Sequence, residues 1–140
     1  MKVKRIDHIG IAVRDLQESL KPYLEYLDLP LNGIETVDFG GATLSVAFLP
    51  LRETEVELLH TTGTTGLIAE HIARHGEGIN HIAFEVDDID AACEELKARG
   101  VELQTDGVVP GSRNTRVLFF AAEEFNGVYI ELLELPRGKD

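Results

Sequence analysis

The chain has 140 residues, of which 25 are acidic and 13 are Lys or Arg, so its formal net charge is −12 at pH 7. Its length fits one ordinary domain, and its 44% apolar and 27% charged residues are typical of a globular protein. The acidic balance excludes a nucleic-acid partner, the lack of a long apolar run excludes a membrane helix, and the single cysteine excludes an internal disulfide. With no secretory apolar segment near the start, we expect a cytoplasmic protein.

The first half of the chain is predicted to fold as strand, helix and three further strands. Apolar alternation and helical spacing place these elements at 5–13, 15–27, 35–38, 42–49 and 55–60. Asp15 is suited to cap the helix, with Glu18 as its reciprocal partner. A linker helix is expected within 65–75, where Gly76 would end it.

The second half is predicted to repeat the same order. A strand over 78–86 precedes a helix over 88–99, which Gly100 is placed to end. Three more strands are expected at 102–105, 115–121 and 127–133.

The two halves also repeat each other in sequence. Segment 7–16 matches segment 80–89, with His8 aligned to His81 across an offset of 73 residues, and Glu57 aligns with Glu131 at an offset of 74. Repeats of this kind indicate copies of one structural unit. We therefore predict a single domain over 1–140, made of a module at 1–62, a linker helix at 63–76 and a module at 77–135. Each βαβββ module would contribute four strands to a curved, eight-stranded mixed sheet of the α+β class, with helices on its convex face.

Alternation along the strands places the polar residues of the repeat on one face. His8 and His81 lie opposite the large apolar residues of their strands and beside small ones, which indicates a face open to a cavity. Glu57 and Glu131 likewise lie opposite large apolar neighbours, where a carboxylate without a partner would be costly to bury.

These four residues suggest a metal site. A single strand histidine is more often structural, but two His–Glu pairs at repeated positions favour a shared role. If a pseudo-two-fold axis relates the modules, both pairs converge, and two imidazoles with two carboxylates suit Co²⁺, Mn²⁺, Ni²⁺ or Zn²⁺. Two remaining coordination positions would allow Lewis-acid catalysis on a substrate with two oxygens. The other histidines and Cys93 are expected to be solvated or structural.

Long stretches of the chain resemble the methylmalonyl-CoA epimerases of the vicinal-oxygen-chelate (glyoxalase/bleomycin resistance) superfamily. The resemblance spans nearly the whole chain. Its most specific motif is His75-Gly76-Glu77-Gly78-Ile79-Asn80-His81-Ile82-Ala83-Phe84-Glu85-Val86-Asp87-Asp88-Ile89, with further matches at 7–13, 46–50, 57–59 and 127–132.

The resemblance implies metal ligands at His8, Glu57, His81 and Glu131, with Co²⁺ favoured, and a homodimer. It implies epimerisation of methylmalonyl-CoA or a similar 2-carboxyacyl-CoA. Glu131 would be the base that removes the Cα proton, and the metal would stabilise the resulting enolate.

Three further residues are candidates for substrate contact. Ser45 stands where some members of the family have a second proposed base, a role that a hydroxyl cannot fill as a carboxylate does. Arg113 and Arg116 follow the flexible segment Pro110-Gly111-Ser112 and are the best available cations for the phosphates of an acyl-CoA.

Three alternative functions stay open within the same superfamily. A glyoxalase I-like lactoylglutathione lyase would use the same four ligands. A metal-dependent dioxygenase would need only two His and one carboxylate, so Glu57 would be a surplus ligand. A non-enzymatic ligand-binding protein would need no metal, and four intact ligand residues argue against it.

Overall fold

The structure is a computed structural model that describes residues 1–137, so the end of the predicted domain at 138–140 lies outside the described residues. Its helices and strands, in chain order, are β1 Val3–Ala12, α1 Leu16–Glu25, β2 Ile34–Phe39, β3 Ala42–Pro50, β4 Glu55–His60, α2 Leu67–His75, β5 Gly78–Val86, α3 Ile89–Ala98, β6 Val109–Pro110, β7 Arg116–Phe119 and β8 Tyr129–Glu134. Short 3₁₀ turns cover Ser112–Asn114 and Ala122–Phe125. No helix within 1–137 is long and apolar enough to cross a membrane.

The described strands form one mixed sheet. Hydrogen bonding links them in the order β2-β3-β4-β1-β5-β8-β7-β6. β1 runs parallel to β4 and β5 runs parallel to β8, while the pairs β2–β3, β3–β4, β6–β7 and β7–β8 are antiparallel. This eight-stranded sheet with its three helices confirms the predicted α+β class.

The chain divides into two compact units. The N-terminal unit comprises His8–Asn80, and the C-terminal unit comprises Met1–Asp7 together with the described residues from His81 onward. The boundaries fall inside β1 and β5. The division into modules at 1–62 and 77–135 around a linker helix stays a prediction.

In the N-terminal unit, helices cover both faces of the strands. Leu16 and Leu20 of α1 pack on the face that carries Val13 and Leu58. Ile68 of α2 packs on the other face, against a cluster that includes Ala12, Leu44, Val46, Phe48 and Leu59. The linker helix therefore lies on the histidine face, which the sequence had predicted to be the open one. The Asp15 side chain accepts a hydrogen bond from the Glu18 N–H at 3.0 Å, which confirms the predicted helix start.

In the C-terminal unit, α3 packs on one face only. Its residues Ile89, Ala92 and Leu96 contact a cluster that includes Leu118, Phe120, Ile130 and Leu132, with Ile82 and Phe84 at its margin. This confirms that the large apolar residues of β5 face a helix. The buried Glu134 carboxylate accepts the N–H of Ile89 at 3.1 Å and so satisfies a free donor at the start of α3.

The prediction of a strand at 102–105 is wrong. Only one isolated bridge, between Leu103 and Phe120, forms there, and the two-residue β6 pairs with β7 instead. The reason is a local turn: the Thr105 hydroxyl donates to the Gly107 carbonyl at 2.9 Å, and Gly107 adopts a φ of +66°. Side-chain hydrogen bonds of this kind compete with strand pairing.

His71 on α2 is half-buried rather than solvated, with its Nδ1 3.5 Å from the Asn80 side-chain nitrogen. Burial, and then the charge of His75, lowers the pKa of His71 below its ordinary value of 6.5. The folded state therefore binds a proton at His71 less tightly than the unfolded state does. The stability that neutral His71 contributes above pH 6.5 is lost as the pH falls toward the lowered pKa.

We predict that the His71→Gln variant loses less stability than the wild type between about pH 7 and about pH 5. Urea denaturation across this range measures the difference. An identical pH slope for the two proteins would contradict the prediction.

Candidate active site

In the N-terminal unit, a histidine and a glutamate meet in the interior. His8 Nδ1 lies 3.3 Å from Glu57 Oε2, and the two residues are only 3% and 5% exposed. The parallel register of β1 and β4 sets Gly10 beside Glu57, and His8 lies two residues before Gly10 on the same face. Because Gly10 has no side chain, it leaves room for His8 to contact Glu57.

The C-terminal unit repeats this arrangement. His81 Nε2 lies 3.3 Å from Glu131 Oε1, and the residues are 4% and 5% exposed. The register of β5 and β8 sets Ala83 beside Glu131, and His81 lies two residues before Ala83. Each unit therefore builds its pair from a strand histidine, a small residue two positions later and a glutamate beside that small residue.

Phenylalanines that are not among the predicted site residues complete the repeat. Phe48 stands opposite Glu57 in the β3–β4 pairing, and Phe119 stands opposite Glu131 in the β7–β8 pairing. The Phe119 ring also contacts the His81 imidazole edge-on, with centroids 5.4 Å apart. A signal was available, because Phe48 and Phe119 align across the repeat at an offset of 71 residues.

Ser45 is not brought to the Glu57 pair. In the register of β3 and β4, Phe48 faces Glu57 and Ser45 faces His60, so Ser45 and Phe48 point to opposite sides of β3. Ser45 shares its side with Ala47, which packs toward α1.

The two predicted arginines lie near a surface recess of about 470 Å³. Arg116 is part of its lining, with Val108, Val109, Pro110, Gly111, Asn114 and Thr115. The Arg116 guanidinium donates to both Asp90 oxygens, at 2.6 and 2.8 Å, and this pairing raises the pKa of Arg116 and lowers that of Asp90. Arg113 lies in the adjoining 3₁₀ turn with a φ of 53°.

Comparison with known proteins identifies the family. Residues 7–119 match the family model of the Glyoxalase/Bleomycin resistance protein/Dioxygenase superfamily. The chain belongs to this superfamily. The vicinal-oxygen-chelate assignment expected from the sequence is thereby confirmed.

Similarity within the superfamily is to epimerases. The chain is 34% identical over 132 residues to the ethylmalonyl-CoA/methylmalonyl-CoA epimerase of Cereibacter sphaeroides, covering 93% of this chain and 97% of that protein. The Mycobacterium tuberculosis methylmalonyl-CoA epimerase structure is 31% identical, with a TM-score of 0.85 and coverages of 96% and 89%. A Streptomyces coelicolor epimerase in complex with 2-nitronate-propionyl-CoA is 26% identical, with a TM-score of 0.87 and coverages of 99%. The chain is accordingly an isomerase of the epimerase type.

One relative is named for a different activity. A probable lactoylglutathione lyase of Synechocystis is 30% identical over 137 residues, covering 95% of this chain and 97% of that protein. The lyase is therefore the alternative against which the substrate needs to be tested.

Proposed function

We propose that this protein interconverts the epimers of methylmalonyl-CoA, or of a similar 2-carboxyacyl-CoA, by moving the Cα proton. Glu131 is the proposed base, and His8, Glu57, His81 and Glu131 are the proposed ligands of one divalent ion. The observation that carries the proposal is the buried His–carboxylate contact of 3.3 Å at equivalent positions of both units. Similarity to epimerases, one of them in complex with an acyl-CoA analogue, supports the substrate class.

The donor geometry within each unit fits a shared ion. Two ligand atoms about 2.1 Å from one ion and at right angles to each other lie roughly 3 Å apart. Both pairs are close to that spacing, and all four residues belong to clusters of side chains that could hold a metal ion. Imidazole with carboxylate suits Co²⁺, Mn²⁺, Ni²⁺ and Zn²⁺, of which the family resemblance favours Co²⁺.

The proposed reaction removes one proton from Cα of the substrate and adds one proton to it. A bound divalent ion would supply positive charge beside the thioester and carboxylate oxygens of the substrate. The Glu131 carboxylate accepts the Cα proton, and the electrons of the C–H bond delocalise toward the thioester carbonyl. A solvent-derived proton delivered to the opposite face of Cα yields the other epimer, and Glu131 releases the first proton to solvent, which restores its carboxylate. No bond of the carbon skeleton breaks and no redox partner is consumed.

The surroundings of Glu131 suit a base. A general base needs to hold one orientation within hydrogen-bond distance of its proton. Glu131 lies on an interior strand of the sheet, between the buried Ile130 and Leu132, and contacts His81, so its carboxylate is held in place and shielded from bulk water.

We predict that the wild-type protein, loaded with Co²⁺ and incubated with (2R)- or (2S)-methylmalonyl-CoA in D₂O, incorporates deuterium at Cα. Glu131→Gln should slow this exchange at least about 100-fold, because an amide cannot accept the proton. Mass spectrometry of the thioester measures the exchange.

Glu134→Gln is the matched control for that experiment. Glu134 lies on the same strand, is also 5% exposed, and faces α3 instead of His81, so its variant should retain exchange. Absence of exchange in the wild type would overturn the substrate assignment. Turnover of a glutathione hemithioacetal in its place would favour the lyase.

We predict that the protein binds about one divalent ion per chain. Glu57→Ala and His81→Ala should each lower the Co²⁺ affinity more than about 100-fold. Loss of a ligand should cost more than the roughly 10–100-fold that follows from losing a residue that only supports a ligand. Competition with a chelator measures the affinity. Co²⁺ should also raise the Tm of the wild type, because it binds the folded state selectively.

His71→Ala is the control for metal binding. His71 contacts Asn80 and lies outside both pairs, so its loss should leave the Co²⁺ affinity unchanged. Equal Co²⁺ affinity in the wild type, Glu57→Ala and His81→Ala would refute the ligand set.

We further propose that Arg113 and Arg116 contact the phosphates of the CoA moiety at the recess beside them. The support is that Arg116 lines this recess and that Arg113 lies in the adjoining 3₁₀ turn. Arg116 would need to share its guanidinium between Asp90 and the phosphate. Ser45 has no part in this proposal, because it points to the side of β3 that packs toward α1.

We predict that Arg113→Ala and Arg116→Ala each raise the KM for methylmalonyl-CoA about tenfold with little change in kcat, the expected cost of a hydrogen bond to a charged group. The control substrate is methylmalonyl-pantetheine, which lacks the phosphates. Steady-state kinetics on both substrates are the measurement, and an equal rise in KM for both would contradict a phosphate contact.

We also propose a homodimer in the cytoplasm. The dimer follows from the family resemblance.

A further inference from the structure

We propose that Phe119 is a positioning residue whose ring holds the His81 imidazole in the orientation that directs Nε2 at Glu131. The catalytic consequence rests on the proposed function above, whereas the positioning itself is a property of the folded chain. Neither the family match nor the similarity to epimerases assigns this residue a role.

The first observation is the aromatic contact. The Phe119 and His81 rings have centroids 5.4 Å apart and an interplanar angle of 76°, which is an edge-to-face arrangement. Both residues are buried, at 5% and 4% exposed. Such pairs contribute beyond their buried area and prefer one relative orientation.

The second observation is the backbone of Phe119, which is held on both sides. Its N–H donates to Thr105 Oγ1 at 3.1 Å, and its carbonyl accepts the Gln104 N–H at 2.7 Å. On its other edge it stands directly opposite Glu131 in the antiparallel register. The turn that prevents a strand at 102–105 thus supplies a fixed support for the ring.

The third observation concerns the freedom that the imidazole would otherwise have. The terminal torsion of histidine is broad and roughly two-fold, so a half-turn of the ring carries Nε2 away from its partner. In the structure Nε2 lies 3.3 Å from Glu131 Oε1. A neighbouring ring set across the imidazole restricts that rotation and keeps water from the contact.

Phe120 provides a matched control within the chain. It is the next residue, is also buried at 6%, and makes an edge-to-face contact with Phe125 at 5.0 Å and 78°. Phe120 points to the opposite face, where it packs in the α3 cluster, and its N–H donates to the Ile130 carbonyl at 2.9 Å. Replacing either phenylalanine by leucine removes one aromatic pair from a buried position.

The experiment compares Phe119→Leu with Phe120→Leu. In the metal-free protein, NMR of the His81 ring should show a single ring orientation in the wild type and in Phe120→Leu, seen as contacts of the ring protons Hδ2 and Hε1 with fixed neighbours, and exchange between two ring orientations in Phe119→Leu. In the loaded enzyme, Phe119→Leu should lower kcat about tenfold while KM changes less than about twofold, as expected for a displaced reacting group. Thr105→Val, which removes the acceptor for the Phe119 N–H and also the donor to the Gly107 carbonyl, should give a smaller change in the same direction.

The ring signals decide the proposal. A single His81 ring orientation in Phe119→Leu would overturn it, whatever happens to kcat, and so would the same exchange between orientations in Phe120→Leu. If Phe119→Leu fails to fold, Thr105→Val decides by the same criterion. A wild-type protein without epimerase activity would refute the proposed function, and the metal-free NMR comparison would still test the role of Phe119.

Discussion

The cost of burying carboxylates on sheet strands is the constraint on which the candidate site depends. Removing a charged group from water costs several kcal/mol, and the cost falls only when the group is paired. Glu57 and Glu131 are both about 95% buried, and each contacts one imidazole. Small residues at positions 10 and 83 and rigid strand backbones are what make these contacts possible.

Two other buried glutamates show how a structural carboxylate differs. Glu85 accepts hydrogen bonds from Arg5 at 2.8 Å and Lys4 at 3.3 Å, and Glu134 accepts the Ile89 N–H at the start of α3. These partners are cations and a helix terminus, which satisfy a carboxylate and leave it inert. Glu57 and Glu131 are paired with imidazoles, which are also metal ligands. The identity of the partner, and not burial itself, distinguishes the proposed site from the structural acids.

Much of the fold could be predicted because alternation and internal repetition are local signals. The strands at 55–60 and 78–86 have the predicted bounds, and the helix cap predicted at Asp15 forms. The strand at 102–105 was wrong because Thr105 and Gly107 form a turn that apolar spacing does not reveal. The pairing of Arg116 with Asp90 joins residues 26 positions apart, which no local pattern contains.

The sequence by itself determined the class of fold, the duplicated order of elements and the side of each strand on which the His and Glu side chains lie, because side-chain direction follows from strand periodicity. Only the tertiary structure decided which strands are neighbours and in what register. That register sets Glu57 beside Gly10 and opposite Phe48, and it sets Glu131 beside Ala83 and opposite Phe119. Contacts across strands depend on chain segments far apart in sequence, whose packing free energy is not encoded in any one of them.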